Sequence, residues 1–189
     1  MESVATLGRH PRPGFRPQPA ATVLTAALTL LAIIPCTPAA ANCLDYADHF
    51  HWLSAAAVPG ISQGVAVSGT HAYLAADLAG LQIVDISNPS APVLVGGIDL
   101  HDRAYAVAVN GSYAYVAAFH SGLQIVDISN PTTPVVAAVH NTPNEALGVA
   151  LLGNLACVAD GNSGLQIVNV SNPHAPQLVG AVPTAGKAV

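Results

Sequence analysis

The chain has 189 residues, of which 52% are hydrophobic and 8% charged, and ten acidic against five basic side chains give a formal net charge of −5. So apolar and weakly charged a composition argues against intrinsic disorder, which needs the reverse balance. It argues equally against nucleic-acid binding: Arg9, Arg12 and Arg16 stand at the N-terminus, and the remaining Arg103 and Lys187 make no basic face that could neutralise phosphates.

Residues 1–41 read as a secretory signal peptide. Three arginines are followed by an uncharged run from Ala20 to Ile34, then by small residues that offer a cleavage site at Ala39-Ala40-Ala41, before Asn42. The apolar run is about 15 residues, short of the roughly 20 that a membrane helix needs, so no span is expected after processing. An uncleaved anchor is the alternative. Lipid anchoring at Cys43 is a further one, although Asn42 is not the small residue that normally precedes a lipidated cysteine. The expected location is therefore secreted or extracytoplasmic, in a periplasm or at a cell surface. Cys36 would leave with the signal. Export allows Cys43 and Cys157 to form a disulfide, and spacing alone leaves open whether they meet.

Past a lead at 42–58, the chain repeats. Gly80-Leu-Gln-Ile-Val-Asp85-Ile-Ser-Asn-Pro89 returns 42 residues later from Gly122 through Asp127 to Pro131, and again from Gly164 through Asn169 to Pro173. Gly69, Gly111 and Gly153 keep the same offset, as do Pro92, Pro134 and Pro176. Each copy reads as four short strands: Gly64–Ser68 (a), Ala72–Ala76 (b), Leu81–Ile86 (c) and Val93–Leu100 (d) in the first. Strand c is dense in β-branched residues and is expected inside a sheet with both faces covered. The connections are short, which suits an antiparallel meander and leaves no room for the crossovers of a parallel sheet. The expected fold is all-β: antiparallel four-stranded blades repeating every 42 residues, a partial β-propeller of about three blades. The blades are placed at 59–100, 101–142 and 143–182, with a truncated further repeat starting at 183–189.

The runs Leu81-Gln-Ile-Val-Asp85 and Leu123-Gln-Ile-Val-Asp127, each followed by Ile-Ser-Asn-Pro, resemble the LVIVD repeat. The resemblance spans roughly Val58 to Val179. It implies a β-propeller-like, secreted or cell-surface protein, and it supplies no catalytic residues. Asn169 departs from the aspartate of the other copies, which puts in doubt any role there that requires a carboxylate.

Both ends carry expectations. His51–Val58 aligns with strand d and reads as an extra outer strand, and Lys187-Ala-Val189 aligns with Arg103-Ala-Tyr105 at the start of a strand a. Three blades do not close a ring, since propellers use about four to eight. A piece of a longer frame, copies associating into a closed ring, and an open capped array would each account for that.

Few residues invite chemistry. Asp85, Asp127 and Asn169 are read as acceptors for backbone N–H groups of the Ser-Asn-Pro turn. The eight histidines fall at scattered repeat positions, and His49-Phe-His51 has no third ligand in view. Gly60-Ile-Ser62-Gln-Gly64 matches G-x-S-x-G by letters, without the strand–helix elbow that gives the motif meaning. No metal, cofactor or catalytic role is assigned, and the chain is read as a non-enzyme. In a four-stranded meander the a–b and c–d turns share one end of the blade, and the b–c and d–a loops the other. The first end is nearly invariant between copies; the second varies and gathers Asp77, His101, Asp102, Arg103, His120, Glu145 and Asp160. The function expected is a non-catalytic scaffold that binds a protein or glycan through this face. The alternatives are a fragment of a propeller enzyme (hydrolase, lyase or oxidoreductase) and a truncated product without independent function.

Overall fold

The computed structural model describes residues 53–189. The signal peptide, Cys43, His49 and His51 lie outside the described residues. Twelve strands form three antiparallel four-stranded sheets. Blade 1 is β1 (Gly64–Ser68), β2 (His71–Ala75), β3 (Leu81–Asp85) and β4 (Val93–Ile98); blade 2 is β5 (Ala106–Asn110), β6 (Tyr113–Ala117), β7 (Leu123–Asp127) and β8 (Val135–His140); blade 3 is β9 (Ala146–Leu152), β10 (Leu155–Asp160), β11 (Leu165–Asn169) and β12 (Gln177–Val182). In each sheet the strands pair in chain order, so every blade is a meander. Ser68 faces His71 across a tight turn whose Gly69 holds φ at +57°, a conformation open to glycine at no steric cost. In all three blades the c–d ladder slips by one residue at the same place, after Ile83, Ile125 and Ile167. Such a bulge increases the local twist, a feature absent from the sequence-based expectation.

Alternation decides what each face buries. Tyr73, Ala75, Leu81 and Ile83 of blade 1 pack against Val107, Ala114, Val116 and Val126 of blade 2. On the other side of the same sheet Tyr115, Ala117, Leu123 and Ile125 pack against Ala156, Val158 and Val168 of blade 3. Leu81, Ile83, Leu123 and Ile125 are wholly buried, each contributing about 1.5–3 kcal/mol. The expectation that strand c is covered on both faces holds for β3 and β7. In β11, Leu165 and Ile167 stay half-buried, because no blade among the described residues lies behind them. The opposite end of the stack is open too: Val65 and Val67 are 64% and 63% exposed, whereas Val107, at the position of Val65 in the next repeat, is 8% exposed.

Consecutive blades are also stitched at one end. Asp77 bridges Ala104, Phe119 bridges Ala146, and Gly161 bridges Ala188, so the b–c corner of each repeat pairs with the residues leading into the next strand a. Residues 53–58 form no strand, which corrects the expected outer strand; they nevertheless take an analogous seat. Ser54 Oγ donates to the Pro89 carbonyl at 2.6 Å, and 42 residues on, Gly96 lies against the Pro131 carbonyl so closely that a Cβ could not fit.

Candidate functional site at the loop end of the blades

The nearly invariant end is occupied with its own folding. Asp85 Oδ1, Asp127 Oδ1 and Asn169 Oδ1 accept from the N–H of Ser87, Ser129 and Ser171 at 2.8, 2.8 and 2.9 Å. A second turn follows, in which Asn88, Asn130 and Asn172 accept from the N–H of Ser90, Thr132 and His174. These turns set Pro89, Pro131 and Pro173 just past the strands, where no ladder donor is needed. The Ser87 and Ser129 backbone hydrogen bonds hold the Asp85 and Asp127 carboxyls below the ordinary carboxylate range. Asn169 makes the same bond without a charge, as the structural reading of this column requires.

At the other end each b–c loop closes on a glycine in the left-handed region: Gly80, Gly122 and Gly164 at φ +71°, +72° and +76°. Three residues before each stands the bridging corner, Asp77, Phe119 or Gly161, also left-handed at φ 48°, 34° and 51°. The loops therefore present equivalent positions in the same backbone geometry while their side chains differ.

The predicted face residues divide into two groups. His101, Arg103 and His120 are exposed, and Glu145 is half-buried. Asp102 works on the scaffold: its Oδ1 accepts from Arg103 N–H at 2.8 Å and its Oδ2 from Ser121 N–H at 2.9 Å, tying the d–a loop to the next b–c loop. Asn144, one repeat on, accepts from Glu145 N–H at 2.9 Å in the same way. Two assignments are corrected. Asp160 is fully buried and takes the Asn144 N–H on both carboxylate oxygens, at 3.3 and 3.1 Å. Asp77 is 8% exposed, and its Oδ1 has no hydrogen-bond partner; Arg103 Nη1 stands 3.6 Å away and supplies the opposite charge. Both carboxylates turn inward because the b–c corner is folded against the following repeat.

Three features were not anticipated from sequence. Arg103, Glu145 and Lys187 occupy one repeat position with alternating sign, and Lys187 Nζ reaches Glu145 Oε2 at 2.7 Å. Tyr105, Phe119 and His120 form a row of rings, with centroids 5.4 and 4.1 Å apart. Beside that row His120, Thr142, Pro143, Asn144 and Glu145 line a cavity of about 260 Å³. The repeat alignment holds the signal for the first two, since it shows charge alternating down one column and an aromatic among turn-forming residues in another. A wider groove of about 810 Å³ runs between blades 1 and 2. Two of its polar groups are engaged with the scaffold: Gln124 Nε2 donates to the Leu100 carbonyl at 2.8 Å, and Asp99 Oδ1 accepts from His101 N–H at 2.7 Å. Among the described residues no group of three or more His, Cys, Asp or Glu is placed to hold a metal ion, and no helix is long and apolar enough to cross a membrane.

Comparison with known structures finds the computationally designed Ika4 protein, 10% identical, with a TM-score of 0.60 over 74% of this chain and 84% of that one. The designed Ika8 protein, also 10% identical, matches with a TM-score of 0.53 over 66% of this chain and 37% of its own length. At such identity the likeness concerns the fold alone, which is propeller-like. Comparison with curated proteins finds no match. The LVIVD repeat profile matches three times, over residues 59–99, 103–142 and 144–184, and the chain belongs to the LVIVD-repeat family.

Proposed function

We propose that this chain is a non-catalytic, extracytoplasmic repeat scaffold that binds a protein or glycan through the loop end of its blades. The observation that carries the reading is the difference between the two ends. At one end the Asx side chains of the turns are spent on their own backbone. At the other end the loops keep a common backbone geometry and vary in side chain, with exposed His101, Arg103 and His120 at hand. A rigid frame with variable loops is the arrangement in which binding residues concentrate. The extracytoplasmic part rests on the charge, apolar and small-residue order of residues 1–41.

The test replaces Arg103, His120 and Glu145 together by alanine, leaving Asp102 and Asp160 to hold the loops. A matched variant carries alanine at the exposed Ser90, Thr132 and Thr133 of the turn end. Both proteins are assayed on peptide and glycan arrays. Loss of ligand from the loop-end variant alone supports the reading. Equal retention by both variants, or loss only from the turn-end variant, overturns it. Fractionation of expressing cells tests location: recovery of the processed chain outside the cytoplasm is expected, and an unprocessed cytoplasmic chain would contradict it.

A further inference from the structure

We infer that the loop end of blade 2 is a carbohydrate subsite, in which the exposed His120 ring, backed by Phe119 and Tyr105 at tilts of 49° and 37° between successive rings, meets the C–H face of a pyranose while Thr142, Asn144 and Glu145 take its hydroxyls. The inference rests on the loop-face reading and names its ligand class.

It begins from a residue in the wrong place for the fold. The b–c corner must be left-handed, since all three copies adopt that conformation and make the same bridge to the next repeat. Blade 1 uses Asp77 and blade 3 Gly161, types that visit this region readily. Blade 2 uses Phe119 at φ 34°, where a bulky side chain is an outlier. The bridge does not need the ring, because the other two corners form it without one. Backbone strain kept against local preference gathers at binding and catalytic sites.

The surroundings supply the second part. Phe119 lies between Tyr105 and His120 on a loop rather than in the interblade core, with His120 exposed. The positions equivalent to Tyr105 and His120 are Gln63 and Leu78 in blade 1, and Leu147 and Asn162 in blade 3, so the row belongs to blade 2 alone. His120 is shared with the adjoining cavity of about 260 Å³, just below the roughly 300–1,000 Å³ of small-molecule sites and suited to one sugar ring rather than an extended ligand. Thr142 Oγ1 donates to the Asn144 carbonyl at 3.4 Å, Asn144 Oδ1 accepts from Glu145 N–H and Glu145 Oε2 holds Lys187. The Asn144 amide N–H groups, the second Glu145 oxygen, the remaining acceptor capacity of the Thr142 hydroxyl and the His120 imidazole are left for a ligand, donors and acceptors that match hydroxyls able to do both. Lys187 lies 2.7 Å from Glu145 and balances its charge, which favours a neutral ligand over an anionic one. A pyranose with equatorial hydroxyls shows an apolar C–H face to an aromatic ring and directs its polar groups sideways, as this row and cavity require.

The experiment is calorimetric titration of the protein with three neutral hexasaccharides: cellohexaose, chitohexaose and xylohexaose. At least one is expected to bind, with affinity falling at least tenfold in F119G and in H120A. F119G places glycine where blade 3 already has it, so its thermal midpoint should be unchanged or higher. H120A alters an exposed side chain and serves if F119G fails to fold. No binding by any of the three sugars overturns the inference. Binding that survives F119G and H120A but is lost in R103A also overturns it, while leaving the loop-face reading intact. Binding indifferent to all three variants overturns both.

Discussion

Ile125 and Ile167 occupy the same position of successive repeats, and the stacking of blades makes them unequal. Ile125 is wholly buried between blades 2 and 3, whereas Ile167 is half-buried on the rear of blade 3. Truncating a buried isoleucine to alanine removes its transfer free energy and leaves a cavity, about 3–4 kcal/mol in a tight core. At Ile167 solvent already reaches the side chain and can fill the space, so only the area term counts, about 1–1.5 kcal/mol. The difference is about 2 kcal/mol. With a urea dependence of about 1–3 kcal/mol/M, the midpoint should fall about 1–4 M in I125A and by at most about half as much in I167A. Equilibrium unfolding followed by far-UV circular dichroism reads both, provided the slope is unchanged. Equal shifts would refute the reasoning, because they would mean that the rear face of blade 3 is as well covered as that of blade 2.

Three further outcomes follow from named groups. The lowered carboxyls of Asp85 and Asp127 stabilise the fold above the ordinary carboxylate pKa, and that stability is lost as pH falls through their folded values. A thermal midpoint measured from pH 7 to pH 2.5 should therefore drop less steeply in the double variant D85N/D127N, which copies Asn169; parallel curves would count against the assignment. G111A places a Cβ in open space at φ +59° and should cost about 1–2 kcal/mol, whereas at Gly122 a Cβ would meet the His140 carbonyl and the Thr142 N–H, so G122A should cost more and loosen the b–c loop, read by urea unfolding and limited proteolysis. D160A removes the acceptor of the Asn144 N–H and should cost about 1–3 kcal/mol in the same unfolding assay; a neutral result would mean that the buried carboxylate is not what holds the d–a loop.

Much of the fold is legible in the sequence because the repeat reports the same local choices three times. Leu81-Gln-Ile-Val-Asp85 is dense in β-branched residues in a run too short for a helix, and Ser-Asn-Pro must end it. The strands fall within a residue or two of their expected limits: β2 starts one residue earlier, and the c and d strands end one and two residues sooner. The bulge after Ile83 and its equivalents was not legible, since Val95, Ala137 and Val179, the residues it leaves unpaired, carry no common signature that marks a bulge. The extra outer strand was read from alignment alone; residues 53–58 take the seat but form no ladder. At the loop end, sequence brought the right segments together and could not say which way a carboxylate turns. Asp160 and Asp77 look like surface charges until the corner is folded onto the following repeat. Phe119 was passed over because an aromatic in a loop carries no signal by itself. Its meaning comes from the positive φ that Asp77 and Gly161 share with it.

The most direct test of loop-end recognition is a hydrogen-exchange footprint of the protein with and without a bound hexasaccharide or an array-selected ligand. Protection confined to residues 101–105, 118–122 and 142–147 is the predicted result. Protection confined to the turn end, at 87–91, 129–133 and 171–175, would contradict it and place recognition on the face that folding alone explains.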